Sequence, residues 1–165
     1  MTHILQARPL TALAFARYGT VVEAPAGTGV AINAGTTERF ELVADLQLAA
    51  AGGRATLALF RSQARRFPQP LRELERHALG SQTFIPLGQH RFVLVVAPAD
   101  GTPAAAVLEA FMTDGTQGAV LAPGTWHHSL LAVEGGDFAV IERVAMSVDC
   151  DRCELDRPVA VSLAD

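Results

Sequence analysis

The chain has little cysteine, few aromatic residues and no long apolar run. It contains no lysine, two cysteines and 6% aromatic residues in a length of 165. No apolar run approaches the roughly 20 residues that a membrane-spanning helix needs, and the N-terminus lacks the basic, apolar and small-residue order of a secretion signal. We therefore expect a soluble, cytoplasmic protein without a membrane partner.

The charge argues against a nucleic-acid partner. The net charge is −4 and the arginines form no dense block, whereas a nucleic-acid-binding surface is strongly basic. A few inward-facing arginines can still bind a small anion, because the guanidinium group matches a carboxylate in geometry.

The two cysteines, Cys150 and Cys153, form a lone C-x-x-C motif. A structural zinc ion needs a second pair or nearby histidines, and neither follows. A thioredoxin-like motif would open a helix after a strand, which this acidic segment does not resemble. We interpret the pair as two reduced thiols.

Turn-forming residues separate short apolar runs along the chain, which predicts a single domain, residues 1–165, of mainly β structure. Leu10, Leu13 and Ala14 have helical spacing before Gly19, so a short N-terminal helix is also predicted. The predicted strands are "TVVEA", "ATLALFR", "QTFIPLG", "RFVLVVAPA", "VLEAFMT", "GAVLAP", "SLLAV" and "FAVIERVAM". Strands of this length and spacing indicate a sandwich or a barrel.

Residues with catalytic or metal-binding side chains fall in two segments. Glu75, His77 and Gln82 form E-x-H-x4-Q, and Gly124 and His127 form G-x-x-H. Residues i and i+2 of a strand share a face, so Glu75 and His77 can converge. Two imidazoles and a carboxylate suit a divalent transition metal, whereas the amide of Gln82 is a poor ligand. The pattern predicts, at most, a weakly held divalent metal.

A second interpretation of the first segment stays open. "PLRELERHAL" can form an amphipathic helix, with Leu71, Leu74 and Ala78 facing inward and the charged residues solvated. In that case Glu75 and His77 would be surface residues.

These motifs resemble those of the cupins, a family of small β-barrels. One cupin motif reads H-x-H, three or four residues, then Glu, and a later motif supplies a further His after Pro and Gly. Glu75 stands at the first His and Gln82 at the Glu, while His77 and His127 hold the other two positions. The resemblance implies that His127 faces the barrel interior and His128 faces outward or into a neighbouring subunit.

Most of the chain is also similar to the ureidoglycolate lyase family. The matching stretches are "FARYGTVVE", "INAGTTERF", "LERHALGSQTFIPL", "FVLVVAP", "AFMTDGTQGAVLAPGTWHHSLLA" and "DFAVIER". The resemblance implies a cupin-like β-barrel of jelly-roll type, usually a homodimer. It also implies a carbon–nitrogen lyase of the amidine-lyase type that cleaves ureidoglycolate to glyoxylate and urea in allantoin degradation. The runs "VLVVAPA" and "SLLAV" offer apolar surface for a dimer.

That reaction needs a base, an acid and an anion clamp. Glu75, His77 and His127 are the candidates for proton transfer, either directly or by holding a metal, with nickel or manganese as candidates and no organic cofactor. Arg39 and Arg61 are the first candidates for binding the substrate carboxylate, followed by Arg76 and Arg143.

Asn33, Gln82 and Trp126 complete the predicted substrate-binding set. Each assignment has a structural alternative: Asn33 suits a turn, Trp126 suits a core, Arg39 suits a surface ion pair, and Arg61 suits a barrel rim.

Two other functions remain open. One is a metal-dependent cupin isomerase or dioxygenase acting on a small oxyacid, and the other is a non-catalytic cupin that binds a small molecule. The sequence leaves open the substrate enantiomer, and whether urea or ammonia with CO₂ is released.

Overall fold

The computed structural model describes residues 1–164, which form mostly β-strands. The strands are β1 (His3–Pro9), β2 (Gly19–Val22), β3 (Val30–Ile32), β4 (Thr37–Arg39), β5 (Arg54–Ser62), β6 (Gln69–Arg76), β7 (Gln82–Pro86), β8 (Phe92–Ala97), β9 (Glu109–Met112), β10 (Gly118–Leu121), β11 (Trp126–His127), β12 (Leu131–Ala132), β13 (Gly136–Val144) and β14 (Asp151–Leu163). The helical segments are α1 (Ala12–Phe15) and single 3₁₀ turns at Asn33–Gly35, Ala50–Gly52 and Ala105–Val107. No helix within residues 1–164 is long and apolar enough to cross a membrane.

The strands form two large sheets and a separate hairpin. The seven-stranded sheet has the order β11-β6-β14-β1-β9-β8-β12, and β11 also pairs with β8, which closes this sheet into a barrel. The five-stranded sheet has the order β2-β10-β7-β13-β5, and β3 and β4 form the hairpin. The prediction of a mainly β, cupin-like barrel fold is confirmed.

Strand β8 is buried on both faces and supplies two apolar cores. Phe92, Leu94 and Val96 lie in a core that both sheets and α1 contribute to, which we call the inter-sheet core. The alternate residues, Val93 and Val95 among them, lie in a core formed by strands of the seven-stranded sheet, which we call the barrel core. The inference of a dimer surface from "VLVVAPA" and "SLLAV" was wrong, since β8 and β12 are buried inside their own chain.

The predicted N-terminal helix is confirmed as the single turn α1. The side-chain oxygen of Thr11 accepts a hydrogen bond from the amide of Ala14 (3.2 Å) and caps the turn. Phe15 then packs edge-on against Phe111 of β9, with 5.5 Å between the ring centres. The helix thus covers one end of the inter-sheet core.

The segment "PLRELERHAL" contributes to strand β6, so its interpretation as an amphipathic helix was wrong. Leu71 and Leu74 are both buried although they are three residues apart. The pairing of β6 with β14 shifts register at this point, between Glu154 and Val159 of β14, so the ladder is irregular between the two leucines. β6 is paired on both sides, with β14 and β11, so Glu75 belongs to a sheet.

Candidate metal centre

The two-residue strand β11 brings His127 beside Glu75. His127 pairs with Glu75 of β6 on one side and with Val96 of β8 on the other. Directly paired residues lie on the same face of a sheet, and Val96 belongs to the inter-sheet core. His127 therefore points between the two sheets, while its neighbour Trp126 points into the barrel core.

The turn before β11 is tied to the segment that carries His77. Gly124 has a positive φ of 83°, a conformation that glycine adopts without steric cost, and its amide donates to the carbonyl of His77 (2.7 Å). The hydroxyl of Thr125 donates to the carbonyl of Tyr18 (3.0 Å). The G-x-x-H motif is thus fixed against the E-x-H motif through the backbone.

Glu75, His77 and His127 form a compact cluster of possible metal ligands. One donor atom from each residue lies within 4.8 Å of the others. His127 Nε2 is 3.9 Å from Glu75 Oε1, and the two imidazole ring centres are 5.3 Å apart. The convergence of these residues that the sequence predicts is present in the fold.

Both histidines direct an unpaired nitrogen into this cluster. His127 Nδ1 is 2.9 Å from the carbonyl of Thr125, and His77 Nδ1 is 2.6 Å from the carbonyl of Asp149. Carbonyls only accept hydrogen bonds, so each Nδ1 carries a proton, and in the neutral imidazole each Nε2 then carries a lone pair. Both Nε2 atoms are buried without a hydrogen-bond partner among residues 1–164, which costs about 1–3 kcal/mol each.

This arrangement fits a divalent transition-metal ion. In metal sites a ligating imidazole commonly donates its other N–H to a carbonyl or carboxylate, as both histidines do here. Burial lowers the pKa of His127 to about 4, so its imidazole is neutral near pH 7 and can bind a cation or accept a proton. Two imidazole nitrogens and one carboxylate suit nickel, manganese, iron or zinc.

Gln82 lies on the opposite sheet, at the start of β7. Its amide nitrogen donates to Glu142 Oε2 (2.8 Å), and its oxygen Oε1 is buried with no partner in the described part of the chain. Its role as ligand or substrate contact stays a prediction. The sequence interpretation did not include Glu142, which anchors this amide.

A cavity of about 220 Å³ adjoins the cluster. Its polar lining residues are His77, Ser81, Glu142, Arg143, Ser147, Asp149 and Cys150. The Asp149 carboxylate accepts hydrogen bonds from the amides of Ala78 (2.9 Å) and Leu79 (2.8 Å), so it holds the chain just after His77. The sulfur of Cys150 is 3.7 Å from Glu75 Oε2. Asp149 was missed because no ligand motif marks its segment, and Cys150 was considered only as half of the lone C-x-x-C motif and not as a neighbour of Glu75.

The predicted carboxylate-binding residues Arg39 and Arg61 have other partners in this chain. Arg39 lies on the exposed hairpin and pairs with Glu41 (3.1 Å). The Arg61 side chain is 80% exposed and pairs with Asp137 (2.8 Å). Neither arginine lines the cavity beside His77, and their roles stay predictions.

Asn33 and Trp126 are also placed away from that cavity. Asn33 occupies the exposed tip of the hairpin with a φ of 52°. The indole nitrogen of Trp126 donates to the carbonyl of Gly101 (3.1 Å), and the guanidinium of Arg76 stacks on its ring at 4.6 Å. Binding of substrate by Asn33 or Trp126 stays a prediction.

His128 is directed away from the cluster. Its backbone amide donates to the carbonyl of Val95 (2.9 Å), and its ring lines a separate surface groove with Arg65, Gln69 and Glu73. The two adjacent histidines therefore face different surroundings.

The fold and the cluster together define a cupin-like β-barrel protein with a candidate metal centre. The chain belongs to the ureidoglycolate lyase family, since the sequence model of that family, described as ureidoglycolate lyase, matches residues 2–162. Proteins named ureidoglycolate lyase are similar over most of their length. The one from Burkholderia mallei is 46% identical over 140 residues, which are 84% of this chain and 82% of the relative. The one from Burkholderia cepacia is 41% identical over 157 residues, 94% and 88% of the two chains. The one from Pseudomonas putida is 40% identical over 148 residues, 89% of each chain.

Proposed function

We propose that this protein is a carbon–nitrogen lyase that cleaves ureidoglycolate to glyoxylate and urea. The observation that carries the proposal is the cluster of Glu75, His77 and His127, with two imidazole nitrogens that have no hydrogen-bond partner within residues 1–164. Membership of the ureidoglycolate lyase family supports the choice of substrate.

The substrate carbon bears a hydroxyl, a carboxylate, a hydrogen and a ureido nitrogen. Loss of the hydroxyl proton forms the aldehyde C=O while the C–N bond breaks, and the departing nitrogen takes up a proton to give urea. The Nε2 of neutral His127 accepts the hydroxyl proton, and the neighbouring His77 and Glu75 are placed to return a proton to the nitrogen. The unpartnered oxygen of Gln82 is a candidate acceptor for a ureido N–H.

The same three side chains would hold a divalent nickel or manganese ion as ligands. Such an ion would supply Lewis acidity, which lowers the pKa of the substrate hydroxyl. In that case Glu75, His77 and His127 act by holding and orienting the site instead of by direct proton transfer. Comparison of turnover before and after chelation distinguishes these two roles.

The test is to add ureidoglycolate to the purified protein and measure glyoxylate, urea and ammonia together. Equal amounts of glyoxylate and urea are expected, and separate enantiomers reveal the preferred one. Ammonia in place of urea would show a hydrolase. Absence of glyoxylate under metal-free and metal-loaded conditions alike would overturn the proposal, and oxygen uptake would favour a dioxygenase.

We also propose that the protein is a cytoplasmic homodimer. β5 is one of the two outer strands of the five-stranded sheet within residues 1–164, and it exposes Leu57 (72%) and Leu59 (57%). An exposed apolar edge strand is suited to pair with a second copy about a two-fold axis. Light scattering is expected to give twice the chain mass, and Leu57→Glu is expected to give monomers. A monomeric wild type at micromolar concentration would contradict the proposal.

A further inference from the structure

Arg143 is the arginine that lines the cavity beside His77. Its Nε donates to the carbonyl of Ala50 (2.8 Å) and its Nη2 donates to the carbonyl of Ala51 (3.2 Å). Within residues 1–164 it forms no ion pair with a carboxylate. The guanidinium is therefore held in place by neutral oxygens, with its charge uncompensated and donors to spare.

Two glycines leave the space that the Arg143 side chain occupies. A Cβ atom on Gly53 would lie 2.4 Å from Arg143 Nε, and one on Gly80 would lie 2.7 Å from Arg143 Cβ. Gly53 has an ordinary φ of −71°, and Gly80 is not among the glycines with positive φ. These positions therefore need glycine for space and not for backbone conformation. We call this gap the Gly53–Gly80 slot.

The acidic groups of the cavity already have hydrogen-bond donors. The Glu142 carboxylate accepts from the amide of Gln82 (2.8 Å). The Asp149 carboxylate accepts from the backbone amides of Ala78 and Leu79. Neither carboxylate is within ion-pair distance of Arg143, so an incoming anion can bind its guanidinium.

We propose that Arg143, held in the Gly53–Gly80 slot, binds the carboxylate of the substrate. This proposal rests on the proposed function, because ureidoglycolate carries one carboxylate that must be fixed while the neighbouring C–N bond breaks. A guanidinium offers that carboxylate paired N–H donors. His77 lines the same cavity, so Arg143 and the proton-transfer cluster adjoin the same space.

The test measures KM and kcat for Arg143→Ala and Arg143→Lys. Loss of a charged hydrogen bond is expected to raise KM about 10- to 100-fold in Arg143→Ala, with a smaller change in kcat. Arg143→Lys keeps the charge but loses the paired N–H donors of the guanidinium, so it is expected to raise KM by less than Arg143→Ala does. Calorimetric titration with glyoxylate, the carboxylate product, is expected to show the same loss of affinity without any turnover.

Two further variants separate anion binding from a general loss of structure. Gly80→Ala keeps the arginine but fills its slot, so it is expected to raise KM and weaken glyoxylate binding in a folded protein. Arg54→Ala is the matched control, because Arg54 pairs with the residue next to Arg143 on β13 yet is exposed and lies outside the cavity lining. Its KM is expected to match that of the wild type.

The failure of this proposal differs from the failure of the proposed function. If the wild type releases glyoxylate while Arg143→Ala and Arg143→Lys keep its KM and its glyoxylate affinity, Arg143 is not the clamp. An increase of KM in Arg39→Ala or Arg61→Ala, without one in the Arg143 variants, would place the clamp elsewhere. A wild type that releases no glyoxylate would overturn the proposed function itself, and glyoxylate titration would still test whether Arg143 binds a carboxylate.

Discussion

The adjacent residues His127 and His128 provide a paired test of the candidate centre. His127 is 2% exposed, with Nε2 directed toward Glu75, whereas His128 lines a different groove. We expect His127→Ala to lower kcat by about 10² or more, the usual scale for loss of a general acid or base. This corresponds to about 2.7 kcal/mol of transition-state stabilisation.

The stability of His127→Ala is expected to change much less than its activity. The substitution removes the hydrogen bond from Nδ1 to the Thr125 carbonyl, which contributes about 1 kcal/mol. It also removes the unpaired buried Nε2, whose desolvation costs about 1–3 kcal/mol. The two effects oppose each other, and the polar surroundings allow water to fill the space left. A net change within about 2 kcal/mol shifts Tm by at most about 8 °C in a domain of this size.

The assay is initial-rate glyoxylate release for wild type, His127→Ala and His128→Ala, with Tm measured on the same samples. His128→Ala is expected to keep kcat within about threefold, because its ring lies outside the cluster and lost general acid–base catalysis would cost far more. If His128→Ala abolished turnover in a folded protein while His127→Ala retained it, the centre would have to be rebuilt on the other face of β11.

The strands that the sequence predicts are those with a continuous apolar run. β8 is the clearest, because burial on both faces requires apolar residues at every position. β14 was not predicted, although it has 13 residues. Its inward residues Cys153 and Leu155 alternate with charged ones, and its register shift before Val159 breaks the alternation. Only pairing with β6 and β1, distant in sequence, makes this segment a strand.

The candidate centre could be predicted where spacing alone places side chains. Glu75 and His77 are two residues apart and converge as predicted, although His77 lies just beyond the end of β6, and β11 supplies His127 from the second motif. The resemblance to cupins placed His127 inside and His128 outside, which the apolar residues around them do not determine. In the fold His127 points between the two sheets and not into the barrel core.

The rest of the site depends on contacts that no local pattern encodes. Asp149 reaches the segment after His77 from 70 residues further along the chain. Arg143 is singled out by the space at Gly53 and Gly80 and by forming no ion pair with a carboxylate within residues 1–164. Both features require the folded chain. Arg61 looked equally suitable in sequence, yet strand pairing places Asp137 directly opposite it.

Three further predictions test the metal site, the cavity thiol and a buried tyrosine. Nickel or manganese added at 100 times its Kd to protein freed of metal by a chelator is expected to raise the free energy of unfolding by about 2.7 kcal/mol. This corresponds to a rise in Tm of roughly 5–10 °C. Calorimetry on Glu75→Ala should show no such rise, and an equal rise there would refute the ligand set. Burial raises the pKa of the Cys150 thiol, which lies 3.7 Å from the Glu75 carboxylate, so iodoacetamide is expected to inhibit glyoxylate release through Cys150 faster as pH rises. Cys150→Ser should resist and Cys153→Ser should not. Finally, burial and the hydrogen bond to Glu109 raise the pKa of Tyr18 to about 12, while in the unfolded chain it ionises near pH 10. The folded state therefore holds this proton more tightly, and the stability present below pH 10 falls by up to about 2 kcal/mol as pH rises toward 12. Urea unfolding should show a shallower alkaline loss in Tyr18→Phe, and parallel losses in the two proteins would contradict this reasoning.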